Sequence, residues 1–500
     1  MRRVLALLCL LLSCAAPREA QARASPKPRS FVEESARIPL LGTVRVYRPQ
    51  PVSRARGMIL FVSGDGGWKL GVLGMARRLA PTALVVGLPM PDWRAAVEKH
   101  AGTCWYPAGE LESIAQAVEK LYKFPRYVPP VLVGYSSGAT VVYGCLAQAP
   151  AGTFSGGVSL GFCPDLDVRR PFCSHSGWKA DFDAAKGVSL LPPRSDLPPS
   201  PAGSLTWIAL QGQMDQVCSA EEVDRFVQRI PSARIVPLPK VGHGFGNAKR
   251  WGEAFDQAVG SFLPSSSPWL SGNSEPNSLS GTAPEEVRRR LEALDLPLVV
   301  SWPKSAQEAL VFLSGDGGWM DLDREVASRL RHSGVAVVGW NSLHYFWEAK
   351  QPRQFRRDLE RVVAALPDSL RAFAGGFSFG AEVLSVSVSA PLAQGTPLAR
   401  LGGIVLLAPG PYATFEVSPM DWIFSHSSPT RYPVAAALKR LGEPPILCLE
   451  PAEGDETGCP ADPQPNLVRV RMPGSHHFGG DYDAVAERIL GFLRGSEPSP

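Results

Sequence analysis

Residues 61–68 read FVSGDGGW and residues 312–319 read FLSGDGGW. Each follows a short apolar run and precedes a stretch with helical spacing. A glycine-rich turn between a buried strand and a helix, written twice in one chain, points to a duplicated α/β unit. The surrounding sequence supports this. In the first half, apolar runs stand at 58–62, 83–89, 130–136, 156–162, 205–212 and 233–239. In the second half they stand at 308–314, 335–341, 371–378, 402–410, 445–451 and 467–474. Such Val-, Ile- and Leu-rich runs suit strands covered on both faces. Helix-like stretches lie between them, among them 108–123, 137–149, 352–366 and 380–393. The expected fold is therefore α/β, two tandem modules, each a mostly parallel sheet flanked by helices.

The totals agree with two globular modules. The chain has 500 residues, 45% hydrophobic and 20% charged, too long for one ordinary core. A net charge of +4 without a long Lys/Arg run gives no indication of nucleic acid. The segment 264–284, PSSSPWLSGNSEPNSLSGTAP, lacks periodicity and reads as a flexible linker between modules at 36–263 and 285–494. The first residues, MRRVLALLCLLLSCAAPREAQA, have the form of an export signal: two arginines, then an apolar run too short to span a bilayer. AQA at 20–22 suits signal-peptidase cleavage, giving a signal at 1–22. LLSC at 11–14 resembles a lipobox, which would end the signal at 13 and make Cys14 a lipidated first residue. Both readings place the mature chain outside the cytoplasm, with peripheral or lipid-anchored membrane association. Disulfides are then expected. Cys448 and Cys459 form the simplest pair, Cys163, Cys173, Cys218 and Cys104 supply further bridging, and Cys145, in a helical pattern, is a buried thiol. No cysteine spacing resembles a zinc site, and neither metal nor organic cofactor is expected.

GYSSG at 134–138 and GFSFG at 376–380 both fit G-x-S-x-G where an apolar strand stops and a helix begins. That is the setting of a nucleophile elbow presenting Ser136 or Ser378. The motif alone is weak, but its recurrence in equivalent strand–turn–helix contexts is not. An elbow needs an acid and then a histidine downstream. In the first half these are Asp215, in QGQMDQVC, and His243, in KVGHGFG. In the second half Asp455 leads among the acids of EPAEGDETGC, with Glu456 and Glu453 as rivals. Aligning HGF with HHF makes His476 the counterpart of His243 and His477 that of Gly244. His243 alone would pass as a turn residue; the order Ser–Asp–His in both halves is harder to ascribe to packing. The elbow and the Ser–Asp–His order make the expected modules tandem α/β-hydrolase domains, a fold in which the SGDGGW loop, with Gly66 or Gly317, supplies one oxyanion-hole amide. The residue after the nucleophile, Ser137 or Phe379, supplies the other. Asp65 and Asp316 admit two readings: a partner for turn amides or a helix end, or a carboxylate facing a cationic substrate group.

SGDGGW, GYSSGA, SLGFCPDL, DQVC, HYFW at 344–347 and HHFGGDY at 476–482 together resemble the bacterial AcvB/VirJ virulence-protein family, from about residue 40 to 494. The longer AcvB type has two such modules, and VirJ corresponds to the second. The resemblance implies a periplasmic serine hydrolase that removes the amino acid from aminoacyl-phosphatidylglycerol, lysyl or alanyl, so that a membrane phospholipid headgroup is the substrate. It also implies links to secretion systems and exported proteins. Carried over, Ser378, Asp455 and His476 take the catalytic positions of the module that single-module relatives keep. For the substrate ammonium groups, Asp316, Glu382, Tyr345, Phe346 and Trp347 are candidates, with structural roles as the alternative. MDWIF at 420–424 is a candidate for touching the bilayer. The rival functions are another carboxylesterase or peptidase with the same triad, and a periplasmic secretion or transport factor using the fold as a scaffold.

Overall fold

The computed structural model describes residues 30–38, 41–69, 71–99, 103–174, 178–269, 279–281, 283–389, 395–417, 430–454 and 456–495. The signal-like segment with Cys14, the MDWIF stretch and Asp455 lie outside the described residues. Among those residues no helix is long and apolar enough to cross a membrane.

The apolar runs become the strands expected of them. Met58–Val62, Leu84–Leu88 and Glu308–Leu313 are buried at every position, as a strand covered on both faces requires. Among the described residues each module builds an eight-stranded sheet. In the first, the order runs from Phe31–Ile38 through Gly42–Pro49, Leu84–Leu88, Met58–Val62, Val131–Tyr135, Gly156–Leu160 and Trp207–Gly212 to Ala233–Leu238. The first two strands pair antiparallel with each other, and the second pairs antiparallel with Leu84–Leu88; the rest are parallel. In the second module, Leu298–Trp302 pairs antiparallel with Val335–Trp340. The order then continues through Glu308–Leu313, Arg371–Phe377, Leu401–Leu407 and Ile446–Pro451 to Leu467–Met472, all parallel.

The tryptophan of the repeated SGDGGW has a packing role that is the same in both modules. A Cβ on Gly87 would lie 2.3 Å from the Trp68 ring, and one on Gly339 2.3 Å from Trp319. Each indole lies flat over a glycine of the neighbouring strand, which anchors the turn to the sheet and explains why those strands read LVVGL and VAVVGW.

Two features differ from the sequence expectation. The first sheet begins at Phe31, ahead of residue 36, because Phe31–Ile38 and Gly42–Pro49 form an antiparallel hairpin with alternating burial rather than a continuous apolar run. The described parts of 264–284 are also attached to the modules. The Ser267 hydroxyl donates to the Ser53 carbonyl (2.6 Å), Trp269 packs on Phe124 with ring centroids 4.5 Å apart, and Leu279–Gly281 pairs parallel with Leu298–Trp302. The modules also touch directly. Trp347 Nε1 donates to the Phe124 carbonyl (2.8 Å). Lys120 sits 4.6 Å above the Trp347 ring and pairs with Glu416 at 2.9 Å.

Candidate active sites

Both G-x-S-x-G segments are elbows. Ser136 and Ser378 have φ of 55° and 51°, a conformation that non-glycine residues avoid unless the surroundings impose it. The imposition is visible. Each serine amide donates to the neighbouring strand, Ser136 to the Leu160 carbonyl (2.9 Å) and Ser378 to Leu407 (2.8 Å). The helices Ser137–Gln148 and Phe379–Val388 start at the next residue. The flanking glycines are required by close backbone approach: a Cβ on Gly138 would meet the Val62 carbonyl oxygen at 2.4 Å, and one on Gly380 the Ser314 oxygen at 2.5 Å. The amides of Ser137 and Phe379 occupy a first helical position, where N–H groups lack an intrahelical acceptor.

In the first module the structure brings Ser136, Asp215 and His243 together. His243 Nε2 is 3.0 Å from Ser136 Oγ, and Nδ1 is 2.9 Å from Asp215 Oδ2. A carboxylate only accepts, so Nδ1 carries the proton and Nε2 is free to accept from the serine. Asp215 is held in turn by the amides of Val217 and Cys218 on Oδ1 (both 2.9 Å) and by Gln211 Nε2 on Oδ2 (3.2 Å). Cys218 is tied to Cys163 by a disulfide, which fixes this acid loop. The same bond keeps the cluster Asp215–Cys218–His243 from offering a thiolate to a metal. The other disulfides are Cys104–Cys173 and the anticipated Cys448–Cys459, and Cys145 is a buried free thiol.

In the second module His476 Nε2 lies 2.9 Å from Ser378 Oγ. Phe377 faces His476, ring centroids 5.1 Å apart, as Tyr135 faces His243 at 5.9 Å. Asp455 lies outside the described residues. Its rivals Glu453 and Glu456 are exposed, and neither is bonded to His476.

The two SGDGGW loops differ in charge. Asp65 Oδ1 accepts from Arg94 Nη2 at 2.7 Å, so its charge is matched within the module. Asp316 makes no ion pair among the described residues. It opens into a cavity of about 430 Å³ that also holds Ser378, Glu382, Tyr412, Glu416 and Arg431. Although water reaches it, the surrounding protein raises the Asp316 pKa above the ordinary carboxylate value, with burial as the main cause. Burial and then the Asp316 charge push Glu382 up to about 7, against the Gly410 amide that donates to its Oε1 at 3.0 Å. Glu112, on the first-module helix Pro107–Leu121, is raised to about 8 by burial and by the same Asp316 charge. The Asp316 charge thus raises both neighbouring carboxyls, while the amides of Asp316 and Gly317 and the His476 ring work against the rise at Asp316 itself.

Of the substrate candidates, Asp316 and Glu382 line the cavity. The three aromatic candidates do not, and this corrects the expectation for them. Tyr345 gives its hydroxyl to Asp358 (2.6 Å), Phe346 packs between Phe355 and Phe379, and Trp347 serves the module contact. All three are buried by packing. Sequence reasoning missed Glu112, Tyr412, Glu416 and Arg431. No motif marks them, and Glu112 comes from the other module.

Residues 307–497 match the family model described as bacterial virulence protein (VirJ). The second module belongs to the VirJ family. No curated protein matches the chain significantly in sequence. Among solved structures, a dienelactone hydrolase from Anabaena variabilis is 16% identical, with TM-score 0.28 over 40% of this chain and 90% of that one. Est1E from Butyrivibrio proteoclasticus is 14% identical, with TM-score 0.29 over 39% and 94%. An α/β serine hydrolase without a lid from Xanthomonas campestris is 18% identical, with TM-score 0.29 over 48% and 98%. In their own sheets and elbows the VirJ module and the module before it share one architecture, and they differ in the charge around the serine.

Proposed function

We propose that the protein is an exported serine hydrolase of two modules, AcvB-like in arrangement, whose VirJ module cleaves the aminoacyl ester of aminoacyl-phosphatidylglycerol. Ser378 Oγ attacks the ester carbonyl while His476 Nε2 takes its proton. The oxyanion of the tetrahedral intermediate is met by the Phe379 amide and the SGDGGW loop. Collapse breaks the ester bond, and His476 returns the proton to the glycerol oxygen, releasing phosphatidylglycerol. Water then hydrolyses the aminoacyl-serine by the same proton route, releasing the amino acid. The acid behind His476 is assigned to Asp455.

The observation that carries this reading is Asp316, without an ion pair among the described residues, beside Glu382 in the cavity of the nucleophile; Glu416 in the same cavity is paired with Lys120. A neutral ester has no use for these charges, whereas an aminoacyl ester carries one ammonium group, or two if lysyl. The three disulfides fit export to an oxidising compartment.

The test uses the mature protein with Ser378→Ala and Ser136→Ala. Each is mixed with lysyl- and alanyl-phosphatidylglycerol in vesicles, and free amino acid and phosphatidylglycerol are followed together. Loss of a true nucleophile should cost orders of magnitude, up to about 10⁶. Failure of the wild type to release amino acid from either lipid rejects the proposal.

A further inference from the structure

A second cavity, about 580 Å³, lies between the modules. Its walls include Arg126, Tyr127 and Gly152 from the first module and Gly317, Gly318, Arg324 and His344 from the second. None of the residues lining it carries a carboxyl group. Its ionisable side chains are two arginines, a histidine and a tyrosine, so the site has the electrostatic character of an anion receptor.

Two of these groups make no side-chain hydrogen bond among the described residues. Arg324, on the helix Asp321–His332, forms no ion pair or side-chain hydrogen bond among the described residues. Its Nη2 reaches across the boundary to within 3.3 Å of where a Cβ on Gly152 would stand. Burial lowers its pKa, and only Asp321 and Asp323 of its own helix oppose this; neither lines the cavity. Tyr127 is 2% exposed, and its hydroxyl has no hydrogen-bond partner. Glu112 and Glu119 act on Tyr127 from the first module, and they too are absent from the lining. Arg324 is nevertheless exposed to water and free to meet a ligand, whereas the buried Tyr127 hydroxyl is costly to leave unmatched. One oxyanion with several acceptor oxygens would satisfy both.

We propose that the inter-module cavity binds a phosphate-class oxyanion, with Arg324 and Tyr127 as its donors. A phospholipid headgroup and a soluble phosphate ester present this same chemistry. The site is separate from the ester pocket but shares a loop with it: Gly317 and Gly318 face the anion cavity, and Asp316 faces Ser378. The inference does not depend on which ester Ser378 cleaves.

The test titrates the full mature protein with inorganic phosphate against chloride at matched ionic strength, by calorimetry. Co-sedimentation with phosphatidylglycerol and phosphatidylcholine vesicles runs in parallel. Phosphate should bind above the chloride background, and Arg324→Gln should weaken it at least about tenfold, the range of one charge-assisted hydrogen bond. Ala202→Asp puts a carboxylate on an exposed lining residue and should weaken phosphate without touching the core, which keeps the test valid if Arg324→Gln fails to fold. Phosphatidylglycerol vesicles that compete with phosphate, and lose binding in the variants, identify a lipid ligand. Phosphate binding indifferent to vesicles identifies a soluble ester. Phosphate no better than chloride, together with no Arg324-dependent vesicle binding, overturns the proposal, as does phosphate binding unchanged in the variants.

Discussion

Replacing Asp316 with Asn keeps the shape of the turn and removes one negative charge beside the VirJ-module serine. The expected cost follows from the environment. An ammonium about 5 Å from the carboxylate, at an effective dielectric near 20, would interact by about 3 kcal/mol. The cleft admits water and Glu382 and Glu416 remain, so about 1–2 kcal/mol is the expected loss. That is about 5- to 30-fold in kcat/KM for lysyl-phosphatidylglycerol. The assay compares this substrate with a neutral ester of similar acyl size, both dependent on Ser378. The neutral ester should change little or improve, because a carboxylate near a developing oxyanion opposes it. Asp65→Asn provides the control, since Arg94 already matches the Asp65 charge. Equal losses on cationic and neutral esters would refute the electrostatic argument and return Asp316 to a role in the turn.

Glu382, with its pKa near 7, is charged above neutrality and neutral below it. The preference for cationic over neutral esters should therefore fall as pH drops from 8 to 6, and Glu382→Gln should flatten that dependence; a wild-type ratio constant over this range would count against the assignment. Gly380→Ala brings a methyl to 2.5 Å from the Ser314 carbonyl, so denaturant unfolding should show a loss of about 3 kcal/mol or more; near-wild-type stability would mean the elbow is looser than it looks. Breaking the Cys163–Cys218 bond with serine at both positions opens a 55-residue separation, worth about 4 kcal/mol of first-module stability in the chain-entropy account. A loss under about 1 kcal/mol would show that the bond contributes little.

Much of this was legible because the chemistry is local. A buried parallel strand is an unbroken apolar run, and an elbow is a strand, two glycines and a helix, all within a few residues of Ser136 or Ser378. The histidines follow their strands in fixed order, as Asp215 does, so these positions could be read even though His243 meets Ser136 across 107 residues. What could not be read depends on pairing and packing between distant segments. The hairpin at Phe31–Pro49 has alternating burial and hides among ordinary polar sequence. The aromatic run at 344–347 looks like a binding surface in sequence, but Trp347 is spent on Phe124, 223 residues away. Asp65 and Asp316 are identical in their motifs, and only the arginine reaching Asp65 from a different helix separates them.

That separation bears on what the first module contributes to the second. Copies that stayed equivalent would share the same charges around the same serine. Here the first copy holds a bonded Ser–His–Asp set and a loop aspartate paired with Arg94. The second copy leaves its loop aspartate unpaired and draws on its neighbour: Lys120 pairs with Glu416 at the cavity wall, and Glu112 shares the field of Asp316. The first module therefore contributes to the second module's site whether or not Ser136 turns over. A VirJ module cut away at residue 284 would lose both contacts. Its preference for cationic esters should then differ from that of the full chain even with Ser378 and His476 intact.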